Sequence, residues 1–305
     1  MGQYLSRRSL HGIISLGGLL VLVFFLSRLT GDPTNLFLPL DASLETREEF
    51  AERHGFNDPM LTQFGRYVGN LVRFDFGMSL RQQRPAMDAA VEAFPTTLKL
   101  AVVTMVIAIG LALLVGALAA YRPGGPFDRT ASVVSLAGAS APDFWVAIVG
   151  ILLFAVTLRW LPTSGTGTWL HWIMPITVLL IRPFGLLVQV VRGTMISALS
   201  SAYVKTARAK GVKERAIIFV HALRNSMLPV ITVAGDQAAA IVNGAVIVET
   251  VFGWPGIGKL MIDSIIQRDF AIVQATVLLT AIAIFVMNIV IDVAYAVLDP
   301  RIRHN

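Results

Sequence analysis

Three clusters in this 305-residue sequence carry side chains capable of chemistry. Gly253-Trp254-Pro255-Gly256-Ile257-Gly258-Lys259 has the glycine–lysine spacing of a loop that cradles phosphates on backbone N–H groups. Such a loop needs Ser or Thr next, to place a hydroxyl on magnesium, and Leu260 offers none. Gly138-Ala139-Ser140-Ala141 fits the loose frame of a serine nucleophile. No histidine lies inside an apolar run to take its proton, because His171 and His221 fall at edges. The third cluster is basic. Residues 192–228 hold Arg192, Lys205, Arg208, Lys210, Lys213, Arg215 and Arg224 against Glu214 alone, a local excess equal to the net charge of the whole chain, +6. Charge confined to one short segment between apolar runs is a membrane-topology signal and argues against nucleic acid as partner. The absence of cysteine excludes disulfides, thiolate metal sites and a cysteine nucleophile.

These clusters must be held by apolar helices. Hydrophobic residues make up 55% of the chain and charged residues 14%, far from a soluble balance. Leu10–Leu29, Thr97–Ala120, Phe144–Leu158, Leu170–Val191, Val230–Val251 and Ile272–Leu298 are mostly apolar. Most approach the ~20 residues that a helix needs to cross the hydrocarbon of a bilayer. The third is short unless Ala131–Ala141 contributes. The expectation is an all-α polytopic membrane protein with six transmembrane helices. Ser6-Arg7-Arg8-Ser9-Leu10 looks like a twin-arginine signal, but the apolar run is long for one and lacks a small-x-small cleavage site. An uncleaved first helix, anchored inside by Arg7 and Arg8, fits better. Six crossings then put both termini, Arg122, Arg129, Arg301, Arg303 and the basic run 192–228 in the cytoplasm, and residues 30–95 outside. The glycine–lysine turn at 253–259 also falls outside, away from cytoplasmic ATP, which leaves a structured turn as its reading.

Spacing assigns further detail. In the outer segment, Ser43 can cap a helix over Leu44–His54, ended by Gly55; Asp58-Pro59 starts another, whose face carries Leu61, Phe64, Tyr67, Val68, Leu71 and Val72. Both a cap resting on the membrane and a platform for an external partner remain open. Ala112, Gly116 and Ala120 form a small-xxx-small stripe for close helix approach. Arg182, Asp236, Glu249 and Asp292 lie in or near spans and must face protein or a wet cavity. Arg182 and Asp236 lie deepest; a structural ion pair is the first reading and a substrate contact the second. Arg182, Asp236, Asn243 and Glu249 are the candidate lining of a pathway. Within the basic run, Gly211 separates two stretches, each with an apolar stripe: Tyr203 and Ala207 before it, Val212, Ala216, Phe219, Val220, Leu223 and Met227 after it. That predicts two short cytoplasmic helices, lying on the membrane interface or inserted into a cytoplasmic protein.

The residues of this run are also recognisable. Tyr203–Gly211, His221–Asn225 and Leu228-Pro229 resemble the EAA-type cytoplasmic loop of ABC-importer permeases, in the form found in dipeptide and oligopeptide permeases. Lys205 and Thr206 stand where the general motif has Glu-Ala, as is usual in the peptide branch. Gly31-Asp32-Pro33, Phe74–Ser79, Pro95–Leu98, Pro142–Trp145, Gly244–Gly258 and Asp299–Arg303 resemble the same family in order, so the likeness covers nearly the whole chain. Arg73-Phe74-Asp75 in place of Gly-Asp, and Arg182, depart from it.

The resemblance implies a type I ABC-importer permease fold with cytoplasmic coupling helices. It divides the chain into a first helix (1–29), an extracytoplasmic helical segment (30–95), a core permease domain (96–298, with its coupling loop at 192–228) and a cytoplasmic tail (299–305). It implies that Tyr203, Lys205, Thr206, Ala207, Arg208, Ala209, Lys210, Gly211, His221, Arg224 and Asn225 couple the chain to an ATPase. The implied partners are a second homologous permease, two ABC ATPase subunits that use ATP and Mg, an extracytoplasmic peptide- or solute-binding protein and the lipids of a bacterial inner membrane. The chain itself would be neither an enzyme nor a cofactor or metal binder. Two readings from other classes compete: an ion-coupled secondary transporter using Arg182 and Asp236, which leaves the basic run without a purpose, and an intramembrane protease at Ser140, which lacks its histidine.

Overall fold

The computed structural model describes residues 2–29, 38, 42–53, 55–79 and 81–298. Gly31-Asp32-Pro33, His54, the tail 299–305 and the side chains of Arg7, Arg8 and Asp292 lie outside the described residues. The helices are α1 (Gly2–Leu29), α2 (Leu44–Arg53), α3 (Met60–Leu71), α4 (Ala86–Tyr121), α5 (Pro126–Ser140), α6 (Asp143–Thr157), α7 (Leu170–Leu199), α8 (Ala202–Ala209), α9 (Glu214–Phe252), α10 (Ile257–Ile266) and α11 (Phe270–Leu298). The two-residue strands Met78–Ser79 and Arg84–Pro85 pair antiparallel before α4. The chain divides into two compact units, one of Met1–Pro95 with Gly256–Phe285 and one of Thr96–Pro255 with Val286–Asn305.

Among the described residues, α4, α7, α9 and the Phe270–Ile291 stretch of α11 are long and apolar enough to cross a membrane, and α5 with α6 makes a fifth crossing if the pair is one span. The first expected span matches a shorter apolar stretch of α1, Leu10–Leu26. The third expected span differs most. It is two helices bent by 103° at Ala141-Pro142. Proline has no N–H to continue the ladder and drives its predecessor out of the helical region, and Ala141 is extended at φ −74°, ψ 133°. Thr97–Ala120 lies inside a longer helix that starts at Ala86 and runs through Pro95.

In the first unit the helices α2 and α3 start as expected. The Thr46 N–H donates to the Ser43 hydroxyl at 3.2 Å, a side-chain cap on α2, and Pro59 precedes α3. On α3 the anticipated apolar face is only partly covered. Phe64 and Tyr67 meet Phe24 of α1 at ring-centroid distances of 5.3 and 5.1 Å, while Leu61, Val68 and Val72 stay exposed. Burial holds the Tyr67 phenol up at about 12. The buried Ser79 hydroxyl donates to Asp269, which precedes α11.

The second unit is built on α7. Lipid tails are as apolar as leucine, so helices in a bilayer are held by close packing and polar ties more than by a hydrophobic drive. Both are present. The small stripe of α4 does bring it onto α7: Ala112 and Ala120 are buried, and a methyl on Gly116 would sit 2.7 Å from the Val191 side chain. Leu187, Val188, Val191 and Met195 of α7 pack there with Ile218, Ala222 and Val230 of α9. A second core gathers Leu100, Met174, Val178, Val248 and Phe252 around Trp254, whose ring stands edge-on to Trp172 at 4.7 Å. Across that core the Thr97 hydroxyl donates to the Glu249 carboxylate at 2.5 Å, tying α4 to α9.

Candidate functional site

The basic segment forms an elbow between two spans. After α7 stops at Leu199, Ser200 and Ser201 turn the chain and Ser201, extended at ψ 158°, precedes α8. An eight-residue helix is marginal in water and needs its end closed. Gly211 does this at φ +77°, where a β-carbon is strained. Its N–H donates to the Arg208 carbonyl at 3.0 Å, and the Val212 N–H to the Ala207 carbonyl at 3.1 Å. These are the two bonds of a Schellman ending. Arg208 then reaches forward to Glu214 through two parallel bonds, Nε to Oε1 at 2.8 Å and Nη2 to Oε2 at 3.3 Å. The Glu214 hydrogen bond pushes the Arg208 guanidinium further above its ordinary value.

Two expectations need correction. The stretch after Gly211 is not a second short helix: it is the start of α9, which runs unbroken for 39 residues, with a π-helical turn at Ile217–Ala222. The apolar stripes are also shifted. Val204 is the buried residue of α8, while Tyr203 is 41% exposed and Ala207 half-buried. Beyond the glycine the buried set is Ile217, Ile218, Ala222 and Ser226; Phe219 and Val220 are exposed, and Val212, Ala216, Leu223 and Met227 are half-buried. From the π turn on, the buried face runs one position earlier than the spacing predicted, at Ala222 and Ser226 in place of Leu223 and Met227.

The structure leaves most of the candidate coupling residues open at the surface. Lys205, Thr206, Arg208, Ala209, Lys210 and Gly211 are exposed, as are His221, Arg224 and Asn225 at the start of α9. The surface is cationic, with Glu214 its acidic member and already engaged by Arg208.

The candidate pathway residues separate. Asp236 and Asn243 are exposed on one face of α9, in line with Thr232, Ala240, Ile247 and Thr250. Glu249 is on the opposite face, 0% exposed and bonded to Thr97. Arg182 is exposed on α7, and the expected ion pair with Asp236 is absent among the described residues. Asp143, at the start of α6, is half-buried, and its Oδ2 lies 3.5 Å from where a methyl on Gly244 would stand. An apolar groove of about 300 Å³ between α6 and α7 is walled by Trp145, Val149, Leu153, Ile173 and Ile181, with Thr177 its polar member. With no charged lining side chain it is unsuited to a zwitterionic solute.

The other chemical leads dissolve. Gly253, at φ +61°, closes α9 by a Trp254 N–H bond to the Glu249 carbonyl, and Gly258 and Lys259 lie inside α10 with Lys259 paired to Asp263. No continuous loop cradles a phosphate there. The Ser140 hydroxyl donates to the Leu136 carbonyl at 2.9 Å, ordinary for a helical serine. Sequence reasoning did not find the pair of Asp128, on α5, with Arg192, on α7. Arg192 was legible only as one more inside charge, and a partner 64 residues away leaves no signal in spacing.

Residues 112–304 match the model of the binding-protein-dependent transport system inner membrane component family. The oligopeptide transport system permease protein AppB of Bacillus subtilis (strain 168) is 36% identical over 316 residues, and the glutathione transport system permease protein GsiC of Escherichia coli (strain K12) 37% over 306, each across 100% of both chains. Among solved structures, the inward-facing MetNI methionine ABC transporter aligns with 70% of this chain and 97% of its own at a TM-score of 0.60 and 17% identity. An amino acid ABC transporter crystallised with histidines aligns with 68% and 94% at 0.53 and 15% identity. At these identities the two structures speak to the fold alone.

Proposed function

The chain belongs to the binding-protein-dependent transport system inner membrane component family, and from that premise we propose that it is the membrane-spanning permease subunit of an ATP-driven importer of peptides or a similar small solute such as glutathione. The solute class comes from the relatives, which are oligopeptide and glutathione permeases matched from end to end. It works in the bacterial inner membrane beside a second, homologous permease, with two ABC ATPases inside and a solute-binding protein outside. ATP and magnesium are used by the ATPases.

One observation carries the coupling role. A short helix closed by Gly211 stands between two spans with its cationic, polar side open. Tyr203, Lys205, Thr206, Ala207, Arg208, Ala209 and Lys210 seat it in an ATPase cleft, and His221, Arg224 and Asn225 extend the contact along the foot of α9. Charge complementarity orients such a contact and speeds its formation. Asp236 and Asn243, on the open face of α9, line the route of the solute with Arg182, whereas Glu249 supports that helix from behind. With both termini inside, the elbow faces the cytosol.

Since the chain has no cysteine, one placed at Ala207 is unique. In the assembled transporter, Ala207→Cys is expected to crosslink to an ATPase subunit, in a yield that changes with nucleotide. Crosslinks only to an external protein would overturn both the orientation and the coupling role. An ion-coupled transporter would leave Ala207→Cys without any protein partner.

A further inference from the structure

We propose that Asp128 and Arg192 are positioning residues that lock α5 to α7 in a single register, so that the two helices move with the elbow as one lever. This rests on the coupling role of the elbow proposed above.

The joint between α5 and α7 has four rungs. At its base, Arg192 grips Asp128 with a two-pronged fork, Nε to Oδ1 and Nη2 to Oδ2 at 2.8 Å, and the Gly124 N–H donates to the same Oδ2 at 2.7 Å. Next, Gln189 Nε2 donates to the Ser132 carbonyl at 3.2 Å. Then Gly185 lies so close that a methyl on it would come within 2.3 Å of the Ser135 carbonyl oxygen, and a methyl on Gly138 would sit 3.0 Å from the Ile181 side chain. Rising numbers on α5 meet falling numbers on α7, so the helices run antiparallel. The ion-paired rung is at the end from which the elbow springs.

The physical consequence is a joint that does not slide. The Asp128 side chain is 3% exposed and both its oxygens are engaged. A shift of one helical turn, ~5.4 Å, would leave this buried carboxylate without its cation. The close-packed glycines offer no room to drift part of the way. Downstream, only Ser200 and Ser201 separate α7 from α8, and both are tied back, to the Ile196 and Ala198 carbonyls at 3.2 Å each. A push on α8 is thus delivered to the base of α7, and through Arg192 to α5 and the turn at Gly124.

The test uses the complete complex in proteoliposomes, reading uptake of a labelled oligopeptide or of labelled glutathione, whichever the unsubstituted complex accumulates, together with ATP hydrolysis. Ser132→Cys with Gln189→Cys, bridged by a short cleavable thiol crosslinker, should take up solute within about twofold of the unbridged form, because the bridge joins parts that already move together. A loss of uptake on bridging that cleavage restores would mean that the helices slide, and would overturn the inference. Asp128→Asn and Arg192→Lys should lower solute moved per ATP by about fivefold or more while hydrolysis persists. A merely structural pair would lower both activities together. Arg192→Lys keeps the cation while removing the fork, so it remains informative if Asp128→Asn does not fold. An unchanged transport-to-hydrolysis ratio in Arg192→Lys also overturns the proposal. If the unsubstituted complex moves no solute at all, the coupling role fails and this inference with it.

Discussion

Between α5 and α7, every third or fourth residue meets something supplied by the same chain: Asp128 meets Arg192, Ser132 meets Gln189, Ser135 meets Gly185. Across the turn at Ser200 and Ser201 the situation reverses. Helix α8 buries Val204 alone, and its one side-chain ion pair among the described residues, Arg208 with Glu214, is about half exposed on both sides. The difference follows from burial. Between close-packed helices a polar tie has little water to compete with it, and two helices of one chain can complete each other. In water an exposed ion pair contributes little, and a helix of eight residues has too few internal bonds to stand alone. The pair is finished by its own sequence; the elbow leaves its polar side open, as the proposed docking to an ATPase requires.

That contrast can be attacked from both ends. The largest effect is expected at the elbow. Gly211→Trp should cut ATP-driven uptake by more than about tenfold, since the left-handed backbone and the partner-facing surface are both disturbed, whereas Gly211→Ala meets only backbone strain, about 1–2 kcal/mol. Normal uptake by Gly211→Trp would remove the reason to treat the elbow as the transmitting part. In the helix pair, Gly185→Leu should lower the stability of the purified chain by about 1–3 kcal/mol, read as a drop in Tm, because the new side chain collides with the Ser135 backbone. A tolerated Gly185→Leu would show a looser joint than the one described. The smallest effect belongs to Arg208→Ala. The Tm of the isolated chain should stay where it was, while affinity for the ATPase falls. A lowered Tm would mean that the elbow is held by its own chain after all.

Much of this was legible in the sequence, and what was not has a physical explanation. Apolar length marked the spans, because a bilayer imposes one dimension on every crossing. Gly211 stood out because a helix ending needs a residue free to turn left-handed. The Ala112–Gly116–Ala120 stripe announced a close approach without naming α7 as its neighbour. Pro142 was visible, but whether a proline kinks a span slightly or folds it by 103° depends on the packing around it. Arg182 and Asp236 looked like partners because both are charged and deep; the facing of each helix, which periodicity alone does not set, leaves both exposed with no ion pair between them among the described residues. Glu249 looked like its neighbour Asn243 on α9 until rotation of the helix placed it against Thr97.

The length of α9 has a mechanical meaning of its own. At 1.5 Å per residue, its 39 residues reach about 58 Å, against roughly 30 Å of hydrocarbon. The lipid boundary therefore falls part-way along a continuous shaft. A thicker or thinner bilayer wets or covers different turns of that shaft, and its foot next to the elbow is spared the tension that a span cut to the width of the membrane would feel.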